Sequence, residues 1–223
     1  METILSLAAP LRQIAQTGGP VVVILMGVAV LAVAVAIYKA WQFQRAGVGR
    51  HTALSEAVSA WDRGDRGAAQ AALGRSTSYL VPVVRMAMSG PDQEVARLQA
   101  EAEAEFAQLE TGFRLLDSVA QLAPLLGLFG TVLGMIEAFQ ALQAAGSQVD
   151  PSILAGGIWV ALLTTAVGLV VAMPTALILS WFEQRMEAER VIADKALLTI
   201  LHPTGAGVMP QPDTAPDAMA LHG

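Results

Sequence analysis

The sequence predicts an all-α membrane protein, with three transmembrane helices, a helical cytoplasmic insert, and a long helix continuing from that insert into the second span. Three observations predict it. First, Gln13–Tyr38, Ser118–Ile136 and Pro151–Phe182 carry no charged residue, and a span needs about 20 mostly apolar residues. Second, 54% of the 223 residues are hydrophobic and only 14% are charged, with a mean hydropathy of +0.53. Soluble domains carry about 25% charged residues. Third, Lys and Arg are unevenly placed. Only Arg12 precedes span one, nine lie between spans one and two, none lies between spans two and three, and three follow span three. The positive-inside rule then puts the N-terminus outside and the middle segment and C-terminus in the cytoplasm.

These signals divide the chain into eight segments. Residues 1–18 form an N-terminal outer segment and 19–40 the first transmembrane helix. Residues 41–117 form the cytoplasmic helical domain and 118–141 the second span. Residues 142–153 make a short outer loop, 154–182 the third span, 183–202 a cytoplasmic helix, and 203–223 a disordered tail.

The first span has the core "VVVILMGVAVLAVAVAIY", longer than a signal peptide's apolar region and with no basic cluster before it. Lys39 and Arg45 follow it as a stop-transfer flank. In the cytoplasmic segment, "TALSEAVSAW" and "RGAAQAALG" read as helices, and "SYLVPVVRMAMSG" as a third interrupted by Pro82. From Gln93 onward, Val95, Leu98, Ala102, Phe106, Leu109, Phe113 and Leu116 recur at helical spacing. A helix over 93–140 would be about 70 Å long. Its Glu94, Arg97, Glu101 and Glu105 read as a solvated face or as a docking face for a partner. The tail has four prolines and little periodicity, which predicts disorder.

The second span, "LAPLLGLFGTVLGMIEAF", spends three glycines where each costs about 1 kcal/mol of helix stability in water relative to alanine. Gly127, Gly130, Thr131 and Gly134 fall at i, i+3, i+4 and i+7 and share a face. Gly130 and Gly134 make a GxxxG step, which lets helices pack closely. Pro124 and Gly168 are further packing candidates. In span three, Thr164, Thr165 and Gly168 interrupt an apolar run. A membrane threonine can bond back to its own helix, or a pair of mid-depth threonines can line a polar pathway. Thr131, Thr164 and Thr165, with the small Ala161, are the candidates to line such a pathway. Glu137, near the outer end of span two, is a pore-mouth candidate or an interfacial carboxylate. Trp41, Trp159 and Trp181 read as interfacial anchors. Met173-Pro174 is expected to kink span three.

Several classes are excluded. A net charge of −6 argues against nucleic-acid binding. There is no cysteine for disulfides or thiolate chemistry and no asparagine for N-glycosylation. His51, His202 and His222 lack metal-ligand spacing, and there is no GxSxG, no HExxH and no pair of carboxylates within a span. The glycines do not form a phosphate loop, because no Lys-Ser/Thr follows them. No enzyme, metal or cofactor is expected.

"APLLGLFGTVLGMIEAF" and "GIWVALLTTAVGLVVAMP" resemble the signatures of the MotA/TolQ/ExbB family, most closely its ExbB branch. The family patterns are near APLLGLLGTVxGI with a following AF, and GIxEALxATAxGLxxAIP. The three-span layout is similar too; flagellar stator subunits share the channel core but normally have four spans. The resemblance implies a homopentamer in the bacterial inner membrane, N-terminus periplasmic, around two copies of a one-span ExbD/TolR-like partner whose helix bears the pore aspartate. It implies that the proton motive force is passed to a TonB-like transducer. By motif position, Thr131 and Thr165 match the family's pore threonines. Many relatives carry a glutamate where this chain has Val160, so the titrating carboxylate would come from the partner. A TolQ-like or other stator role, or a non-conducting scaffold among the membrane lipids, are the alternatives.

Overall fold

A computed structural model describes residues 18–90, 95–144 and 151–204. Among these the protein is entirely helical. Its elements are α1 (Gly19–Ala46), α2 (Thr52–Asp62), α3 (Arg66–Arg75), α4 (Val81–Met88), α5 (Val95–Glu110), α6 (Phe113–Ala144) and α7 (Pro151–Leu201). Three helices are long and apolar enough to cross a membrane: Gly19–Ala46, Phe113–Ala144 and Leu154–Leu201. Residues 1–17, residues 145–150 of the outer loop and the tail beyond Thr204 lie outside the described residues, as does Glu94.

The chain forms two compact units, Met1–Arg45 with Phe106–Glu189, and Ala46–Glu105 with Arg190–Gly223. The first holds the spans. Its interior contains Val22, Leu25, Phe113, Leu116, Ala123, Ala161, Phe182 and Met186. Outward it leaves Val30, Ile37, Leu125, Phe129, Trp159, Leu162, Leu177 and Trp181 uncovered. A soluble monomer does not expose such a surface, whereas lipid or neighbouring subunits would cover it.

The second unit is built from short helices with small faces. Leu54, Ala57 and Ala60 of α2 and Ala69, Ala72 and Leu73 of α3 are buried. Asp65 caps α3 by accepting from the Ala68 amide at 2.9 Å. Pro82 opens α4 rather than interrupting a helix, because its missing N–H costs nothing in a first turn. The indole N–H of Trp61 donates to the Ile200 carbonyl at 3.0 Å, tying α2 to the end of α7. Arg190 pairs with Glu103 at 3.3 Å. Gly47, at φ +71, lets the chain turn after α1, where a Cβ would lie 2.9 Å from the Thr77 carbonyl oxygen.

Two expectations need correction. The helix expected over 93–140 is two helices, α5 and α6, parted at Thr111-Gly112. Gly112 has φ +98, a conformation that ends a helix and suits glycine. The apolar period still runs through the break, since Leu98, Ala102, Phe106, Leu109, Phe113 and Leu116 are all buried. Val95, at the start of α5, is exposed. In the other direction, 154–182 and 183–202 are not separate helices. α7 runs unbroken from Pro151 to Leu201 and continues through Pro174.

Candidate functional site

The glycines of α6 meet α7 of the same chain. A Cβ on Gly127 would lie 2.9 Å from the Thr164 carbonyl oxygen and 3.0 Å from the Thr165 Cα. One on Gly130 would lie 2.6 Å from the Thr164 hydroxyl oxygen, and one on Gly134 3.1 Å from the Ala161 Cβ. On α7, a Cβ on Gly168 would lie 2.6 Å from the Ala123 carbonyl oxygen, and one on Gly157 would collide with the Ala138 Cβ. Two antiparallel rows result: Ala123, Gly127, Gly130, Gly134 and Ala138 against Gly168, Thr164, Ala161 and Gly157. Steps of three and four keep each row on one face. Missing side chains let the backbones approach where larger residues would hold them apart.

Thr164 occupies the centre of this seam. It is 2% exposed. Its hydroxyl oxygen lies 2.7 Å from the Ala161 carbonyl oxygen and 3.0 Å from the Gly127 carbonyl oxygen across the seam. Its one proton is satisfied by its own helix and by the next. Ala161, also 2% exposed, fills the space beside Gly134. Both of these pore-lining candidates are thus buried in the contact between α6 and α7. The small faces of the two helices are consumed by each other, so a pore would be lined by residues turned away from the seam.

The other two threonines differ. Thr131 is half-buried and donates to the Leu128 carbonyl at 2.6 Å within its own helix. Thr165 is half-buried, and its hydroxyl oxygen is closed off from solvent with no hydrogen-bond partner among the described residues. An unmatched hydroxyl in apolar surroundings costs about 1–3 kcal/mol. Thr175, by contrast, is buried and satisfied, donating to the Val171 carbonyl at 2.7 Å. Pro124 lies half-buried inside α6. Glu137 is exposed on α6, and Val160 is half-buried on α7.

Lys39 is not the exposed flank that its position after the first apolar run suggests. It is 1% exposed. Its ammonium donates to the Gln42 side-chain carbonyl and lies 5.6 Å from the centre of the Phe113 ring. Phe43, Phe113 and Phe182 pack together beside it, with ring centres 5.2–6.2 Å apart. Glu189 is likewise 1% exposed, with Arg185 at 3.9 Å. No sequence signal marked these buried charges, because a basic residue after an apolar run is read as a topology marker. Among the described residues no cluster of His, Asp or Glu could hold a metal.

Residues 69–195, which include α6 and most of α7, match the MotA/TolQ/ExbB proton channel family. The chain is 48% identical over 67 residues to the biopolymer transport protein exbB1 of Vibrio cholerae, covering 30% of this chain and 29% of that one. It is 32% identical over 166 residues to a protein named ExbB-like 1 in Synechocystis, covering 70% and 64%. It is 39% identical over 84 residues to the Tol-Pal system protein TolQ of Haemophilus influenzae, covering 38% and 36%. The matches therefore span less than two thirds of the length of these relatives. With its span of matched residues exceeding half the chain, and with both signature helices inside it, this protein belongs to the MotA/TolQ/ExbB proton channel family.

Proposed function

We propose that the chain is the channel-forming subunit of a proton-driven inner-membrane complex of ExbB–ExbD type, which energises TonB-dependent transport at the outer membrane. The observation that carries this reading is the Thr165 hydroxyl, buried on a membrane helix and without a hydrogen-bond partner among the described residues. A polar group at such depth usually faces a bundle interior or a cavity. Five copies arranged about a central pore would bring this hydroxyl, and Thr131, to an incoming partner helix. Gly127, Gly130, Gly134 and Gly168 hold α6 against α7, and Glu137 sits near the pore mouth.

The uncharged runs of spans one and three contain no acid. The proton carrier is then an aspartate on a one-span partner of ExbD or TolR type, present in two copies. That carboxylate takes up a proton on the side of higher proton potential and releases it on the other, with the threonine hydroxyl as its hydrogen-bonding neighbour in transit. The complex passes the resulting work to a TonB-like transducer.

A second reading, the TolQ role in cell-envelope integrity, is favoured by the match to TolQ of Haemophilus influenzae. The test is native mass spectrometry of the extracted complex, expressed with its candidate one-span partner, followed by proton flux in liposomes. Five copies holding two partner chains, with flux that requires the partner's aspartate, support the channel. A monomer or dimer without flux makes the chain a scaffold. Rescue of a TolQ-deficient strain but not of an ExbB-deficient one selects the second reading.

A further inference from the structure

The second unit contains a cavity of about 610 Å³ between α2 and the last turns of α7. Its floor is apolar, with Leu54, Val58 and Ile192, and its walls carry His51, Arg63 and Lys195. Pockets of this size hold small molecules or short peptide segments. Asp62, which also lines the cavity, is tied to Thr204. It accepts from the Thr204 amide at 2.7 Å and from the Thr204 hydroxyl at 2.8 Å. These bonds satisfy the Asp62 carboxylate, which keeps its charge, and fix the position of Thr204, after which residues 205–223 follow.

We propose that residues 205–223 of the same chain dock in this groove. Three observations select this occupant. The segment starts one residue from the anchor on the groove's rim, so docking is intramolecular, and short flexible tethers give effective concentrations in the millimolar range. The reach is sufficient. The nine residue steps from Thr204 to Asp213 extend up to about 30 Å, whereas an eleven-residue helix such as α2 is about 16 Å long. The chemistry is complementary. Residues 205–223 contain Asp213 and Asp217 and no Lys or Arg, facing Arg63 and Lys195, while Val208, Met209 and Met219 match the apolar floor. The segment also contains Pro210, Pro212 and Pro216, and proline-rich segments lose less entropy when they dock in an extended form.

The chain lacks cysteine, so an engineered pair reports proximity directly. Ser59→Cys, on the exposed wall of the groove, is combined with Met209→Cys or Met219→Cys in the full chain in membranes and oxidised with copper phenanthroline. The expected result is an intrachain disulfide from at least one pair. Its yield should fall at least fivefold with Arg63→Glu and Lys195→Glu and recover when Asp213→Lys and Asp217→Lys are added. A control cysteine at the exposed Ala71 of α3 sets the background. Yield no higher than that control overturns the proposal. A disulfide between two copies also overturns it and assigns the groove to a neighbouring subunit.

Discussion

The Thr164 hydroxyl reaches the Gly127 carbonyl oxygen at 3.0 Å across the seam between α6 and α7, while the hydroxyl of its neighbour Thr165 finds no hydrogen-bond partner among the described residues. Two adjacent residues of one type thus do different work. Thr164 joins two helices of the same chain. Thr165 has no hydrogen-bond partner among the described residues, which costs stability; in the proposed complex a partner helix would supply one.

Thr165→Val is therefore expected to leave the isolated protein as stable as the parent or more so, because it removes an unmatched hydroxyl at nearly constant shape. Partner-dependent proton flux should be lost. Thermal stability in detergent and flux in liposomes measure the two effects. Lower stability with unchanged flux would remove Thr165 from the channel.

Thr164→Val should show the opposite pattern. It removes one interhelical hydrogen bond, a loss of about 0.6–1.7 kcal/mol in membrane proteins, and flux in the surviving protein should stay near that of the parent. A double-mutant comparison with Thr165→Val is informative because the two effects fall on different measurements.

At Gly130 the space is already taken. A single added methyl would lie 2.6 Å from the Thr164 hydroxyl oxygen and 2.7 Å from its Cβ. Gly130→Ala should destabilise the chain by about 1–3 kcal/mol through overpacking, and Gly130→Leu should prevent the hairpin of α6 and α7 from closing. The readout is the yield of folded monomer, before any oligomer is measured, since the contact lies within one chain. A normal Tm for Gly130→Ala would contradict the seam.

Gly112 offers a milder test. Its added Cβ would meet only Val35 Cγ1 at 3.7 Å and Lys39 Cδ at 3.9 Å, which is ordinary contact. The cost of Gly112→Ala should then be conformational alone, about 1–2 kcal/mol for a left-handed residue with a side chain. Gly47→Ala combines the same strain with a 2.9 Å approach to the Thr77 carbonyl oxygen and should be the worse of the two in a thermal melt.

Acidification should release Thr204. The Thr204 amide and hydroxyl hold the Asp62 carboxyl below the usual aspartate range. A lowered native pKa means that the contribution is complete above the unfolded-state value and is lost as pH falls through the native value. Hydrogen-exchange protection of the Thr204 amide, corrected for intrinsic rates, should be constant near neutral pH and fall only below about pH 4. Asp62→Ala should abolish it at every pH.

Much of this architecture is written in residue type and spacing. The uncharged runs mark the three spans, because hydrocarbon excludes charge over a fixed thickness. The helices of the insert follow from Asp65, Pro82 and the alanine and leucine periods. The glycine row of α6 was visible as a close-packing face, and so was Gly168. Ala123, Ala138 and Gly157 extend it at the same three-and-four spacing, but alanines are too common in apolar helices to stand out as a packing face.

What tertiary structure decided is which neighbour each face meets. A row of small residues looks the same in sequence whether it accepts a helix of its own chain or of another, and here α7 of the same chain fills it. Thr164 and Thr165 are equivalent by composition. About 100° of helical rotation separates them, enough to put one inside the seam and leave the other's hydroxyl without a partner among the described residues. Lys39 looks like a membrane-edge marker until folding buries it, with its ammonium on Gln42 and beside the Phe113 ring. Gly112 becomes a break rather than a helical residue because the backbone adopts a left-handed turn there. Sequence determined which segments are apolar and how long they are, since that depends on local chemistry. Packing decided which polar groups are satisfied, since that depends on residues far apart in the chain.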